Sequence, residues 1–488
     1  MFSLLIKKEL TTIIQSPKFV TTFATSSLLI ILVVLVGISE YKHNVKQYNT
    51  GVVLGKSTTE DSRSWHSVSA LAYRQPDPMQ IFVSGVNNDI GRFSNVNKQK
   101  EVRLQNSSYS DDPIFAVFRS IDFAFIITIV ISLFAIMFTY NSINGEKEEG
   151  TLRLVFSNSV SRVAYIGSKI IGSWLGLVVP LLIPILISFL FVIIFEIDFN
   201  FSHWNRLLLL TFASLLYYTF FIIFGILISS TTKNSSTSFL VLLTFWIVSV
   251  FIVPRVGVIA AAQFIQVPSQ AEVDSQLDAF SKDMWNAQME EISELWRQRN
   301  VLMEGMSTEE RETFQDANSW SWMREDDLLR KEKEEEIAGF SKKLYEGFNN
   351  NKIELRKLAL KLSRISPASA YQLTAMNLAS TDIEMKTRYE DAVQTHREKF
   401  LKHASEKEEK EGGSFGIRIN MDTETGISIT DGRSENKLDF SELPKFVEPR
   451  RSLAKIFEPT ITDLGILLVL TIVSFGASVF RFGKFDLR

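Results

Sequence analysis

The chain of 488 residues contains no cysteine, which excludes disulfides, thiolate metal sites and cysteine nucleophiles together. A charge excess is missing too. Its 52 Lys and Arg stand against 55 Asp and Glu, and the basic residues form no patch, so nucleic acid is not an expected partner. The long apolar runs hold almost no ionisable residues, which disfavours a proton or ion relay and, with it, secondary transport. Arg119, Asp122, Arg255 and Asp463 stand only toward their outer ends, where snorkelling anchors are expected.

Catalytic constellations are equally scarce. The five histidines are His43, His66, His203, His396 and His403; the last two are seven residues apart, too far for a metal pair on one helix, which wants about four. Acidic pairs such as Asp326-Asp327 and Glu408-Glu409 lie in solvated charge runs. The stretch Thr50-Gly-Val-Val-Leu-Gly-Lys-Ser57 misses a phosphate-binding loop by one residue, because Thr50 stands where glycine is required. No catalytic, cofactor-binding or metal residue is therefore assigned. The chain is not expected to be an enzyme, and any ATP and Mg must be bound by another subunit.

What is present is apolar bulk beside charge. Hydrophobic residues make up 46 %, with 38 Phe, yet 22 % of the chain is charged, a mixture that suits a membrane domain with a sizeable water-exposed part. Windows of about twenty apolar residues give spans at 19–38, 119–140, 170–195, 206–229, 238–262 and 461–481. Around them lie 1–18, read as an interfacial helix, 39–118, the segment 141–169, the large segment 263–460 and a tail, 482–488. Residues 2–16 place Leu5, Ile6, Leu10, Ile13 and Ile14 on one face, the pattern of a helix lying in the membrane interface, and Ser16-Pro17 breaks it.

Orientation follows from the short loops. Lys7, Lys8, Lys18, Lys147, Arg153, Arg162, Lys169, Lys233, Arg481, Lys484 and Arg488 all fall on one side if both termini are cytoplasmic. The opposite loop, 196–205, carries acids and Trp204. This places 39–118 and 263–460 outside.

Short strand-like pieces occur at Val52-Val-Leu54, Met79-Gln-Ile-Phe-Val83 and Glu101-Val-Arg-Leu104. The larger segment reads as mainly helical. Trp285, Met289, Ile292, Trp296 and Met303 make one apolar stripe, and Ile337, Phe340, Leu344, Phe348, Leu355, Leu358, Leu362 and Ile365 a second. A helix over 325–365 would be about 60 Å long. Ser366-Pro367 suits a helix start, Thr381-Asp-Ile-Glu384 has the form of a capping box before another helix, and 415–430 reads as a β-hairpin beyond Gly412-Gly413. Near a Ser- and Asp-rich bend, one of Trp320 and Trp322 should remain exposed and is the candidate outer contact.

The segment Asn144-Gly-Glu-Lys-Glu-Glu-Gly-Thr-Leu-Arg153 is too short and charged to bury a core, so docking of a partner is its expected use. Glu146-Lys-Glu-Glu-Gly-Thr-Leu-Arg-Leu154, followed by Ser157-Asn-Ser-Val-Ser-Arg162 and Lys169, resembles the segment after the second span of ABC-2-type transporter permeases. Pro78-Met-Gln-Ile-Phe-Val-Ser-Gly85, Ser366-Pro-Ala-Ser369, Leu378-Ala-Ser-Thr-Asp382 and Phe485-Asp-Leu-Arg488 resemble a branch with large exoplasmic insertions, similar to permeases of nitrous-oxide reductase maturation and gliding motility.

The resemblance implies an α-helical polytopic membrane protein with six transmembrane helices of ABC-2 exporter type and a mainly helical, partly β exoplasmic domain built from two insertions. It implies that 141–169 forms a coupling segment against a nucleotide-binding subunit. Glu146, Glu148, Glu149, Gly150, Thr151, Leu152, Arg153, Phe156 and Arg162 are its candidate contact residues: the acids and arginines give polar contacts, and Leu152 and Phe156 anchor it. The implied assembly is a homodimer with two copies of an ABC ATPase subunit in a bacterial inner membrane, both termini inside. Two functions remain open. One is export or extraction of an amphiphile or polypeptide, and the other is relay of ATP-driven motion to a periplasmic or envelope protein without translocation.

Overall fold

The computed structural model describes residues 1–60, 62, 65, 68–97, 102, 104–105, 121–158, 160–411, 418–422, 426–430, 439–440, 442–449 and 451–484. Arg119, His66, Gly412-Gly413 and the terminal Phe485–Arg488 match lie outside these.

Among the described residues six helices are long and apolar enough to cross a membrane. A short helix, α1 (Phe2–Ile14), precedes the first of them, α2 (Pro17–Glu60), and the break falls at Ser16-Pro17 as expected. At 1.5 Å per residue α2 is about 66 Å long, roughly twice a hydrocarbon core. The strand expected at Val52–Leu54 is thus helix, and Thr50–Ser57 lies within it, so its amides form no loop to cradle a phosphate. Gly51 and Gly55, one turn apart, serve packing instead. A Cβ at Gly51 would lie 2.4 Å from the Tyr73 ring and one at Gly55 3.2 Å from Leu71, so only a bare helix face admits the strand β1 (Ala70–Tyr73).

β1 pairs antiparallel with β2 (Phe93–Val96), with Tyr73 opposite Phe93. The strand expected at Met79–Val83 is instead a 3₁₀ turn, Pro78–Ile81, whose first free amide is taken by the Asp77 carboxylate. Of the piece expected at 101–104, Glu101 and Arg103 lie outside the described residues, and Leu104 forms an isolated bridge to Ser94.

The second span is composite. It runs through α3 (Phe123–Phe125), a π-helical stretch Ile126–Ile131 and α4 (Ser132–Thr139). Two short helices follow, α5 (Asn144–Glu148) and α6 (Thr151–Ser157), then the third and fourth spans, α7 (Arg162–Ile194) and α8 (Phe201–Thr231). The fifth comprises α9 (Ser235–Ile247), a second π stretch, Val248–Ile252, and α10 (Val253–Phe264). The second and fifth spans are tied beside these stretches, because Trp246 Nε1 donates to Ser132 Oγ at 2.8 Å. Tyr217 of α8 donates to the Thr128 carbonyl at 3.0 Å. Carbonyls displaced by π geometry need such donors, since lipid supplies none.

The chain divides into two compact units, Gly257–Lys361 and the remainder. The smaller is a helical hairpin of α11 (Gln270–Leu302) and the outer part of α12 (Thr308–Ser363). Phe280 stacks on Phe340 at 4.0 Å, the Tyr345 hydroxyl donates to Asp274 at 2.7 Å, and Arg299 pairs with Glu325 and Asp326. The helix expected over 325–365 therefore starts earlier, at Thr308.

In the larger unit α13 (Pro367–Ala379) starts at Ser366, whose side chain accepts from two amides of the first turn, and each of its residues is buried. Tyr371 stacks on Tyr217 at 4.9 Å and shares a hydrogen bond with Ser214 at 2.8 Å, which sets α13 against the fourth span. At its end Arg206 of α8 donates to the Leu378 carbonyl (2.5 Å) and Ser380 Oγ (3.1 Å) while pairing with Asp77 (2.9 Å). The segment 263–460, expected as one outer domain, is thus divided. Its first part is the hairpin, and 362 onward belongs with the spans.

Beyond α13 come α14 (Met385–Glu411), the hairpin β3 (Arg418–Asp422) with β4 (Gly426–Thr430), and the sixth span, α15 (Leu453–Gly483), which begins earlier than hydropathy indicated. Tyr389 of α14 donates to the Ala72 carbonyl at 2.6 Å, and the strap 442–449 lays Phe446 on Tyr389 and His396. His396 and His403 are both ring-packed, the latter edge-on to Trp65. The snorkelling expected of Asp122 and Asp463 is overturned. Asp122 is a buried cap receiving Ser84 and Phe125 amides, and Asp463, wholly buried, pairs with Arg364 at 2.6 Å. A carboxylate in a span is retained where donors replace its hydration.

Candidate coupling surface

The segment between the second and third spans is held from three sides. At its start the Ile143 and Asn144 amides donate to Ser229 Oγ (3.1 and 3.3 Å), and Asn144 Nδ2 donates to Thr232 Oγ1 (2.7 Å), which fastens α5 to the end of the fourth span. Glu148 accepts from the Ser235 amide and hydroxyl, both at 2.8 Å. It thereby caps the first turn of α9, whose Asn234 makes no side-chain cap, and satisfies amides that a helix start leaves free.

Glu146 turns inward. Its Oε1 lies 2.7 Å from Lys8 and 3.1 Å from Lys169, and its Oε2 accepts from the Tyr165 hydroxyl at 2.5 Å. Lys169 also pairs with Glu9 of α1 at 2.6 Å, and both side chains are buried. Glu9 lies off the apolar face formed by Leu5, Ile6, Leu10, Ile13 and Ile14, so the helical pattern alone does not mark it as part of a site. Glycine was the available signal. A Cβ at Gly172 would lie 2.6 Å from Glu9 Cβ and one at Gly176 3.3 Å from Ile13, and such small residues one turn apart let two helices approach closely.

Gly150, at φ 74°, turns the chain between α5 and α6, a conformation that favours glycine. Thr151 Oγ1 donates back to the Glu146 carbonyl at 3.2 Å. Leu152 is buried, and Phe156 packs against Tyr165 and Phe482 with ring centroids 5.3 and 6.1 Å apart. Arg162 donates to the Gly483 carbonyl, so the sixth span ends here too. Both described chain ends therefore meet this segment.

Of the nine candidate residues, Glu146, Glu148, Leu152, Phe156 and Arg162 pack on or bond to other elements of this chain, and Thr151 ties a local turn. Glu149, Gly150 and Arg153 face outward. Beside them lies a residue absent from the candidate set, Leu154, which is 66 % exposed. An exposed leucine next to Arg153, on a segment held from behind, gives this outer face both apolar and charged groups.

The family model described as ABC-2 family transporter protein matches residues 4–487. The chain belongs to that family. It is a multi-pass transport permease, and the segment just described is the stretch whose sequence carried the resemblance. Among the curated proteins none matches this permease. Trp320 and Trp322, the candidate outer contacts, are separated by the hairpin. Trp322 packs on Trp296 and Phe314 under the Arg299 guanidinium, whereas Trp320 is 72 % exposed.

Proposed function

We propose that this permease is driven by a separate ABC ATPase subunit that docks on Glu149, Gly150, Arg153 and Leu154. One observation carries the reading: the outward face of α5 and α6 is open and amphipathic, while its inward face is locked to α1, α7, α8 and α15 through Asn144, Glu146 and Phe156, and Glu148 reaches α9 at the surface. A partner that displaced this segment would move the inner ends of several spans as one body, the rigid-body mode by which nucleotide closure is converted into tilting. ATP and Mg belong to that subunit.

The positive residues gathered near this end, Lys7, Lys18, Lys147, Arg153, Lys233 and Arg481, support a cytoplasmic placement with both termini inside. We read the assembly as a homodimer with two ATPase copies in a bacterial inner membrane. Its work is export or extraction of an amphiphile or polypeptide, for which spans with so few ionisable residues are suited. Replacing Leu154 with Asp and Arg153 with Glu tests the docking. The ATPase should no longer co-purify, although the permease stays folded. Undiminished co-purification and unchanged stimulated hydrolysis would refute the assignment.

A further inference from the structure

In the second π stretch the Val253 amide donates to the Val248 carbonyl, a spacing of five residues. Carried one residue on, the same spacing assigns the Ser249 carbonyl to the amide of residue 254. That residue is proline and has no amide hydrogen. The Ser249 carbonyl receives the Ser366 hydroxyl instead, and the Pro254 carbonyl receives the Ser363 hydroxyl at 3.2 Å. All three serines are buried. Between the two donors, Arg364 reaches Asp463 of the sixth span at 2.6 and 3.3 Å.

We propose that the fifth span is hinged between Ser249 and Pro254, and that the turn Ser363–Ser366 is the catch that sets the hinge angle. A proline next to a π stretch removes the helical restraint at one point. In an apolar surrounding the freed carbonyl must find a donor from a neighbouring element. Here that donor sits where α12 ends and α13 begins, so the bend of the fifth span is fixed by the same four residues that hold the sixth through Arg364. Ser366 has a second duty, accepting from the Ala368 and Ser369 amides at 3.1 and 3.4 Å. Threonine could serve both duties, and alanine neither. Ser366 is a positioning residue, and the assignment does not depend on which subunit drives the permease.

The cysteine-free chain allows a direct test. Spin labels on cysteines at Leu240 and Val256, which are exposed on either side of the break, report the bend of the full-length protein in nanodiscs. One narrow distance distribution is expected for the parent and for Ser366→Thr. Ser366→Ala should broaden and shift it, and adding Pro254→Ala, which restores an amide donor to Ser249, should make it narrow again. If Ser366 acted only as the cap of α13, Pro254→Ala would not repair the distribution, and that result overturns the proposal. An unchanged distribution in Ser366→Ala overturns it equally. Should Ser366→Ala fail to give monodisperse protein, recovery of monodisperse protein on adding Pro254→Ala supports the hinge, and no recovery contradicts it.

Discussion

Lys169 Nζ lies 2.6 Å from the Glu9 carboxylate and joins the third span to the N-terminal helix through a buried ion pair. Glu146 shares the same ammonium at 3.1 Å. One lysine thus holds α1 and the segment between the second and third spans against α7. Removing one member leaves an uncompensated buried charge, which costs about 3–5 kcal/mol, whereas replacing a whole pair by groups of similar shape is often near neutral.

Lys169→Met should therefore strongly destabilise the purified permease, and Glu9→Gln combined with Lys169→Met should recover part of the loss. Thermal unfolding of the single and double variants in detergent measures this. Equal melting of both variants would mean that the two charges do not act as a unit.

The hairpin offers a contrast between residues two positions apart. Trp322, packed on Trp296 and Phe314, should cost about 1–3 kcal/mol of local stability on change to Ala, whereas Trp320→Ser should stay within about 0.5 kcal/mol. Hydrogen exchange over peptides from α11 and α12 reads the difference. Faster exchange in Trp320→Ser than in Trp322→Ala would reverse the assignment.

Two groups outside the spans titrate with opposite sign. Burial, reinforced by Lys399, pushes the His396 imidazole below its ordinary 6.5. The unfolded chain then takes up that proton first on acidification, so the contribution of neutral His396 is complete above about pH 6.5 and is lost as pH falls toward the lower folded value. Burial pushes the Glu448 carboxyl above its ordinary 4.5. There the folded state binds the proton first, so stability is gained as pH falls through the folded value and lost as it rises. As pH falls from 7.5 to 4.5, Glu448→Gln should steepen the acid-side fall in melting temperature and His396→Phe should reverse or flatten it. The same pH dependence in both variants would contradict these assignments.

Much of this was legible beforehand for identifiable reasons. Span length and hydropathy are properties of a segment alone, so six crossings could be read without knowing their neighbours. Residues 367–379, Pro-Ala-Ser-Ala-Tyr-Gln-Leu-Thr-Ala-Met-Asn-Leu-Ala, are too short and mixed for a span. Their burial exists only because Ser214, Tyr217 and Arg206 supply partners, which no local pattern reveals. Glu9 was hidden for the same reason. A carboxylate on the polar face of an amphipathic helix reads as solvent-facing until Lys169 is placed beside it. For the tryptophans, positions two apart on a helix point to nearly opposite sides, so one had to be packed, but only the position of Trp296 decides which. Between the second and third spans the sequence marks a short charged stretch, but which of its residues turn inward is not legible there, because periodicity cannot be read in helices of five and seven residues.

The claim that the outward face of α5 and α6 receives the driving subunit is tested most directly by a photo-crosslinking amino acid placed singly at Leu154 and, as an inward control, at Leu152. Crosslinking in native membranes should join an ATP-hydrolysing subunit to the permease from position 154 and not from 152. An ATPase that co-purifies with the permease yet gives no adduct at 154, or gives an equal adduct at 152, would contradict the proposed docking surface.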